Sequence, residues 1–355
     1  MAPVSRSTVT AFRLPDLISN CPFPVAYHKN GDAIAAASEK WVEQGCRVFT
    51  EDMRRHLRGL MAGQLAAYCY NKCSDERFRV ICDFMLVLFL LDDLSDDLMT
   101  KDTEILADVV MNAIAFPEAY RPTHTKGKEQ PEIESDASSL TRDYWARLIP
   151  DAGPEVQARC AENVELYLVA VHQQANHRDT GDIPSLEDYV QLRRLSSGCK
   201  PLFDLLEYSL DMQLPDYIIE NPLLETLKDC VNDFVAFSND IFSFNVEQSR
   251  GDTHNLVTII MENYNLDLQS AVDRAGDMCR EALDKYCVTK AKFPSYGPEL
   301  DNQLAAFFRG LESWISGSLD WSFVTPRYFG SRRNEIKKHR WVKLLSRSRV
   351  PVNAA

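Results

Sequence analysis

Glycine is scarce in this chain. Fourteen glycines in 355 residues are about 4%, against roughly 7% in an average protein. Tight β-turns consume glycine, so the shortage leans toward helix. Basic charge is short as well: 39 Lys and Arg face 52 Asp and Glu, a formal net charge of −13. A nucleic-acid binder needs a basic footprint, so no nucleic-acid partner is expected. The longest apolar run, Phe84–Leu91, is eight residues, far below the roughly 20 that span a bilayer. No strict apolar–polar alternation lasts more than a few residues, so half-buried strands have no signature. None of the ten cysteines forms a C-x-x-C pair, and Cys69 and Cys73, four apart, have no partner pair elsewhere. They read as reduced, mostly buried, small apolar residues. The opening MAPVSRSTVTAFRLP lacks the apolar core of a secretory signal, so the expected location is cytoplasmic.

What is present is helical periodicity. Apolar residues make up 45% and charged residues 26%, the values of a globular protein. Residues 1–30 carry four prolines and read as an irregular arm. From Asp32 the apolar spacing turns helical, through Trp41, Leu57 and Leu65. Residues 77–97 are apolar nearly all round before ending in acid; such a helix belongs in a core. Residues 116–139 are polar, hold three prolines and read as a surface loop within one domain. Further helices are expected at 140–149, 154–178, 185–210, 221–250, 254–262, 266–290 and 297–316, with Gly198 interrupting one and Gly251 stopping another. From Ser331 to the end the chain is basic, with one acid, Glu335. That tail reads as solvated and partly disordered, although a basic tail also suits an anionic surface. The expected organisation is an arm (1–30), one all-α domain (31–330) and a tail (331–355).

Two stripes stand out, and the first breaks local rules. Asp92-Asp93-Leu-Ser-Asp96-Asp97 directly follows FMLVLFLL. Residues four apart share a helix face, so Asp92 projects with Asp96 and Asp93 with Asp97. Four like charges there repel one another and oppose the dipole of the helix C-terminus. Such violations mark functional sites, and carboxylate oxygens suit Mg²⁺ beside substrate phosphates. An idle, solvated acidic end is the competing reading. The second stripe is Asn239, Ser243 and Glu247. Each step of four advances about 40° around a helix, so amide, hydroxyl and carboxylate oxygens form one slowly winding row. That row is a second candidate Mg²⁺ site, with a solvent-facing polar stripe as the alternative.

Cations complete the set. Arg193 lies 46 residues before Asn239, Arg250 three residues past Glu247, and Arg327-Tyr328 near the C-terminus. Arginine forks suit phosphate oxygens, and a tyrosine hydroxyl donates as well. Taken singly, each cation reads as a surface ion pair. With two Mg²⁺ stripes they would cage a diphosphate and stabilise it as a leaving group.

These residues resemble the class I terpene synthases over roughly residues 15–330. That family pairs a D-D-x-x-D-type motif with N-D-x-x-S-x-x-x-E, and adds an arginine sensor and a C-terminal Arg-Tyr pair. The stretches NDIFSFNVEQSRGDTHN and LRRLSSGCKP are similar to sesquiterpene synthases of mushroom-forming fungi, and LLDDLSDD to their Δ6-protoilludene synthases. The resemblance implies an all-α bundle with a deep central pocket. It implies Asp92 as the main Mg²⁺ ligand of the first motif, supported by Asp96, with the parts of Asp93 and Asp97 open. It implies Asn239, Ser243 and Glu247 at the second Mg²⁺ site, and three Mg²⁺ in all with bound diphosphate. Arg193 matches the diphosphate sensor, Ser196 and Ser197 the positions after it, and Arg327 and Tyr328 the pair that closes over diphosphate; Arg250 matches less well. The implied substrate is farnesyl diphosphate, ionised to an allyl cation and cyclised, for protoilludene through a humulyl-type cation. The active form would be a monomer or homodimer.

A cation of that kind needs a dry, aromatic-lined hollow. Phe89, Phe203, Trp314 and Trp321 are candidates for its wall, plain core packing being the alternative for each. Two other functions compete. A chain-elongating prenyl diphosphate synthase would carry a second D-D-x-x-D where this chain has Asn239, Ser243 and Glu247. A non-catalytic helical scaffold would leave the acids beside FMLVLFLL unexplained.

Overall fold

The computed structural model describes residues 10–47, 49–96, 98, 100–126 and 128–347, with Asp96 described by its backbone alone. Helices dominate. In chain order they are α1 (Gly31–Gly45), α2 (Glu51–Leu60), α3 (Ala62–Cys69), α4 (Asp75–Asp96), α5 (Thr100–Ala115), α6 (Asp136–Leu148), α7 (Pro154–Thr180), α8 (Leu186–Ser196), α9 (Cys199–Ser209), α10 (Asp216–Ile219), α11 (Pro222–Arg250), α12 (Leu256–Tyr264), α13 (Leu268–Lys290), α14 (Pro298–Ser322) and α15 (Arg333–His339). Two three-residue strands, β1 (Ala11–Arg13) and β2 (Trp341–Lys343), pair antiparallel. Among the described residues no helix is long and apolar enough to cross a membrane.

The central helix is α4. Phe78, Ile81, Phe84, Met85, Leu86, Val87, Leu88 and Leu91 are all buried, as its all-round apolar sequence requires. It packs against α1, α3, α6, α7 and α9. The close approach of α1 to α3 needs Gly63, because a Cβ there would sit 2.5 Å from that of Ala35. The other long core helix, α11, is delimited by its sequence. Asn221 caps its start by accepting from Leu223 N, Pro222 takes the first helical position, and Gly251 ends it at φ +89°. It packs chiefly on α13 and α14.

Several boundaries differ from expectation. The loop after α5 ends early, because Ser135 accepts from Ser138 N and starts α6 at Asp136. The helix expected over 185–210 is two helices, α8 and α9, with Gly198 between them at φ +71°. Helix α5 has no counterpart among the expected helices. The N-terminal arm is not wholly irregular, since it holds β1, and the basic tail holds α15 and β2. Residues 1–9 and 348–355 lie outside the described residues. Of the cysteines, Cys21 and Cys46 are half-buried, Cys287 is exposed, and the other seven are buried.

Candidate active site

The C-terminal end of α4, the α8–α9 junction, the last turns of α11 and the segment after α14 converge on one hollow. An inner cavity of about 160 Å³ is lined by Asp92 and Phe89 from α4, Arg193, Ser196, Ser197 and Gly198 from the junction, Asn239, Asp240 and Glu247 from α11, and Trp314, Trp321 and Arg327. Beside it lies an outer vestibule of about 750 Å³ that adds Asp93, Ser243, Arg250 and Tyr328 and shares Glu247, Asp252 and Arg327 with the inner space. The two acidic stripes, 147 residues apart from Asp92 to Asn239, thus border one cleft.

Charge in the cleft is organised by Asp240. Its carboxylate accepts from Tyr189 Oη at 2.6 Å, Arg193 Nε at 3.0 Å and Leu256 N at 3.1 Å. Burial works against the charge on Arg193, but Asp240 beside it prevails and holds its pKa above the ordinary value. The same guanidinium donates from Nη2 to Asn239 Oδ1 at 3.0 Å, and Asn239 Nδ2 donates to Tyr328 Oη at 2.7 Å. Arg193, Asn239 and Tyr328 therefore form one chain of hydrogen bonds. Arg194 points elsewhere, pairing with Asp229 and Asp233.

Arg327 faces the first stripe, with Nη2 3.7 Å from Asp92 Oδ2 and its guanidinium 5.3 Å from the Phe89 ring centroid. Its Nη1 is buried without a hydrogen-bond partner, an orphan donor at the cleft that an anion would satisfy. Asp92 is raised by desolvation in the cleft, which Arg327 opposes and Asp93 reinforces. Asp93 turns aside to His56 Nε2, 2.9 Å away. Asp97 and the side chain of Asp96 lie outside the described residues.

The second stripe fits a divalent cation by its donor chemistry. Burial first, then Asp240 and Asp252, push Glu247 up to about 8. Asn255 Nδ2 donates to Glu247 Oε2 at 2.8 Å, and no described Lys or Arg forms an ion pair with it. A desolvated carboxylate among acids calls for positive charge. Among the described residues no three His, Cys, Asp or Glu side chains gather closely enough to hold a metal unaided. Bound metal there would take the Asn239 and Ser243 oxygens together with oxygens of its ligand, the habit of Mg²⁺.

The cavity wall mixes aromatic and hydroxyl groups. Trp314, 1% exposed, meets Tyr70 and Phe203 edge-on at 5.8 and 5.5 Å, and its indole N–H has no partner. Phe203 is buried behind it and does not line the hollow. Trp321 stands 6.0 Å from Phe89 and 5.8 Å from Tyr328, and its N–H donates to Met61 O at 2.8 Å. Ser197 borders the cavity, but its hydroxyl donates to Asn232 Oδ1 at 2.7 Å and accepts from Cys199 N. The hydroxyl of Ser196 is buried and unpartnered. Arg250 reaches the vestibule only.

Sequence reasoning missed three residues. For Asp240 the available signal is an acid directly beside a candidate ligand in a largely apolar stretch of helix. Tyr189 gave none, because its partner Asp240 is 51 residues away, and Asn255, eight residues past Glu247, acts through a loop whose path no spacing encodes. The Gly251-Asp252 pair is more than a helix stop: Asp252 lines the cleft, and the loop after it delivers Asn255 to Glu247.

Known proteins resemble this chain in sequence and in fold. The family model described as "Terpene synthase family 2, C-terminal metal binding" matches residues 83–285. "Sesquiterpene synthase Agr3" from Cyclocybe aegerita is 51% identical over 95% of this chain and 94% of its own length. "Alpha-muurolene synthase" from Coprinopsis cinerea is 50% identical over 95% of this chain and 78% of its own. Among solved structures, α-eudesmol synthase superposes with a TM-score of 0.74 at 22% identity, covering 86% of this chain and 98% of that one. Germacradien-4-ol synthase from Streptomyces citricolor gives 0.71 at 22% identity, covering 85% and 96%. The structural matches carry the fold, and the family match and the identities carry the lineage: this chain belongs to the terpene synthase family.

Proposed function

We propose that the chain is a sesquiterpene synthase that ionises farnesyl diphosphate with Mg²⁺ and cyclises the resulting cation to a hydrocarbon. The observation that carries this reading is the shared cleft, with Asp92 and Arg327 on one side and Arg193, Asn239 and Glu247 on the other. Mg²⁺ would neutralise the diphosphate oxygens and stabilise diphosphate as it leaves. Asp92 on one edge and Asn239, Ser243 and Glu247 on the other would hold it, with three ions expected when diphosphate is bound. The side chains perform the remaining tasks. Arg193 and Arg327 offer forks to the phosphate oxygens, and Tyr328 adds a hydroxyl. The C–O bond breaks, its electron pair leaves with diphosphate, and the allyl cation faces Phe89, Trp314 and Trp321, whose ring faces attract positive charge; the cyclised cation then gives up a proton to the released diphosphate, which leaves the neutral hydrocarbon.

Two observations bear on the skeleton. The wording of LLDDLSDD favours Δ6-protoilludene. Identity of 50% over 95% of the chain to a relative named Alpha-muurolene synthase favours a muurolene-type product. The second observation spans far more of the chain. An elongating synthase is disfavoured by Asn239, Ser243 and Glu247 standing where that class repeats its aspartates.

Incubation with farnesyl diphosphate and Mg²⁺, followed by gas chromatography–mass spectrometry of the headspace, tests the reading. A volatile sesquiterpene is expected, lost with EDTA and restored by Mg²⁺. A longer prenyl diphosphate formed with isopentenyl diphosphate would identify an elongase instead, and no product from either incubation a scaffold.

A further inference from the structure

The metal-binding candidates Asn239, Ser243 and Glu247 occupy one face of α11. Glu247 lies three residues before the helix ends at Arg250. That end is capped, Gly251 N donating to Gln248 O and Asp252 N to Glu247 O, so the support that face still needs from outside the helix is in its placement against the cleft. The side chains that point away from the cleft supply it.

At about 100° per residue, Asn245 projects roughly 160° away from Ser243, with Gln248 and Phe244 about 60° and 100° to one side of it. Asn245 is 6% exposed. Its Nδ2 donates to Lys343 O at 3.1 Å and its Oδ1 accepts from Leu345 N at 2.9 Å. Gln248 Nε2 donates to Leu345 O at 3.0 Å. Phe244 meets Phe12 edge-on at 5.7 Å. The last two turns of α11 are thus fastened to residues 12 and 343–345.

Those residues belong to the β1–β2 pair, in which Phe12 lies opposite Val342 and both are 1% exposed. Leu14 N donates to Arg340 O and Leu344 N to Thr10 O, extending the ladder at both ends. Each outer edge is sealed by a side-chain amide. Asn245 pairs with β2, and Gln269 of α13 pairs with Arg13 of β1, accepting from N at 2.8 Å and donating to O at 3.0 Å. A two-stranded ribbon is marginal by itself; here it is pinned on both edges to α11 and α13, the most extensively packed helix pair of the fold.

We propose that this ribbon is a positioning device for the metal-binding face of α11, and that Asn245 is the positioning residue through which it acts. The inference rests on the proposed metal role of Asn239, Ser243 and Glu247. Side chains that orient metal ligands from outside typically alter metal affinity by about 10–100-fold when removed.

The test is thermal unfolding of the full chain with sodium diphosphate and increasing MgCl₂. For Asn245→Ala, the Mg²⁺ concentration giving half of the diphosphate-supported rise in Tm should increase about tenfold. Gln269→Ala, which touches the ribbon but not α11, should move that midpoint in the same direction and keeps the test decisive if Asn245→Ala fails to fold. A lowered Tm without ligand but an unchanged Mg²⁺ midpoint would make the ribbon a purely structural staple and overturn the inference alone. No ligand-induced rise in the unsubstituted protein would overturn the metal reading and the inference with it.

Discussion

At the scale of single residues, the cleft is a set of charges balanced by particular partners. Asp92 and Asn239 stand on its two edges, and neither carries the packing of its helix. Asp92→Ala and Asn239→Ala should each lower cyclisation at least about a hundredfold, the range expected when a group that stabilises developing charge is lost. The helical circular-dichroism spectrum should be unchanged; retained activity in either variant would remove that residue from the site. Away from the cleft, Asp204 shows what an acid without sufficient compensation does. It is raised to about 6, chiefly by burial, against the opposing effects of Lys228 and the hydrogen bond from Asn163. The folded state therefore keeps a proton that the unfolded chain has already released between about pH 4 and 6. Stability falls as pH rises through that window, and the full penalty of about 3 kcal/mol is present above it. Asp204→Asn should gain stability relative to the natural protein as pH rises from 4 to 6.5, then hold a constant advantage. A difference in Tm that does not change with pH would contradict this origin.

At the scale of elements, legibility followed the range of the forces involved. Helix α11 was readable almost to the residue, because Asn221, Pro222 and Gly251 are local signals. The interruption at Gly198 was readable for the same reason, but its depth was not: the residue takes φ +71° and separates two helices. A Cβ at Gly198 would meet only ordinary contacts, 3.9 Å from Leu88 and 4.0 Å from Tyr167. Gly198→Ala should therefore act through backbone strain, costing about 1–2 kcal/mol and lowering Tm by a few degrees. An unchanged Tm would mean that the junction relaxes freely. Helix α5 is absent from the expected helices although Ile105, Leu106, Val109, Val110, Ala113 and Ile114 trace a helical stripe between the acid cluster and the proline-rich loop. Strands β1 and β2 were beyond reach. Three residues at each end of a 355-residue chain carry no alternation long enough to read. Their pairing is fixed by Phe12, Val342 and the amides of Asn245 and Gln269.

At the scale of the whole molecule, a helical shell brings acids from one helix to face amide, hydroxyl and carboxylate oxygens of another. Both motifs were visible in the sequence, the first because it breaks local rules of charge placement, the second as three oxygen donors in one helical row. That they border one cavity was not, since no spacing encodes which helices pack together. The network through Asp240, which joins Arg193 to the start of α12, is likewise a product of packing. The central claim is that the two edges grip divalent metal between them around a diphosphate. Crystals grown with Mn²⁺ and inorganic diphosphate test it most directly through the anomalous scattering of manganese. The account predicts peaks within coordination distance of Asp92 on one side and of Asn239, Ser243 and Glu247 on the other, bridged by diphosphate. A cleft without manganese, or manganese held elsewhere, would contradict it.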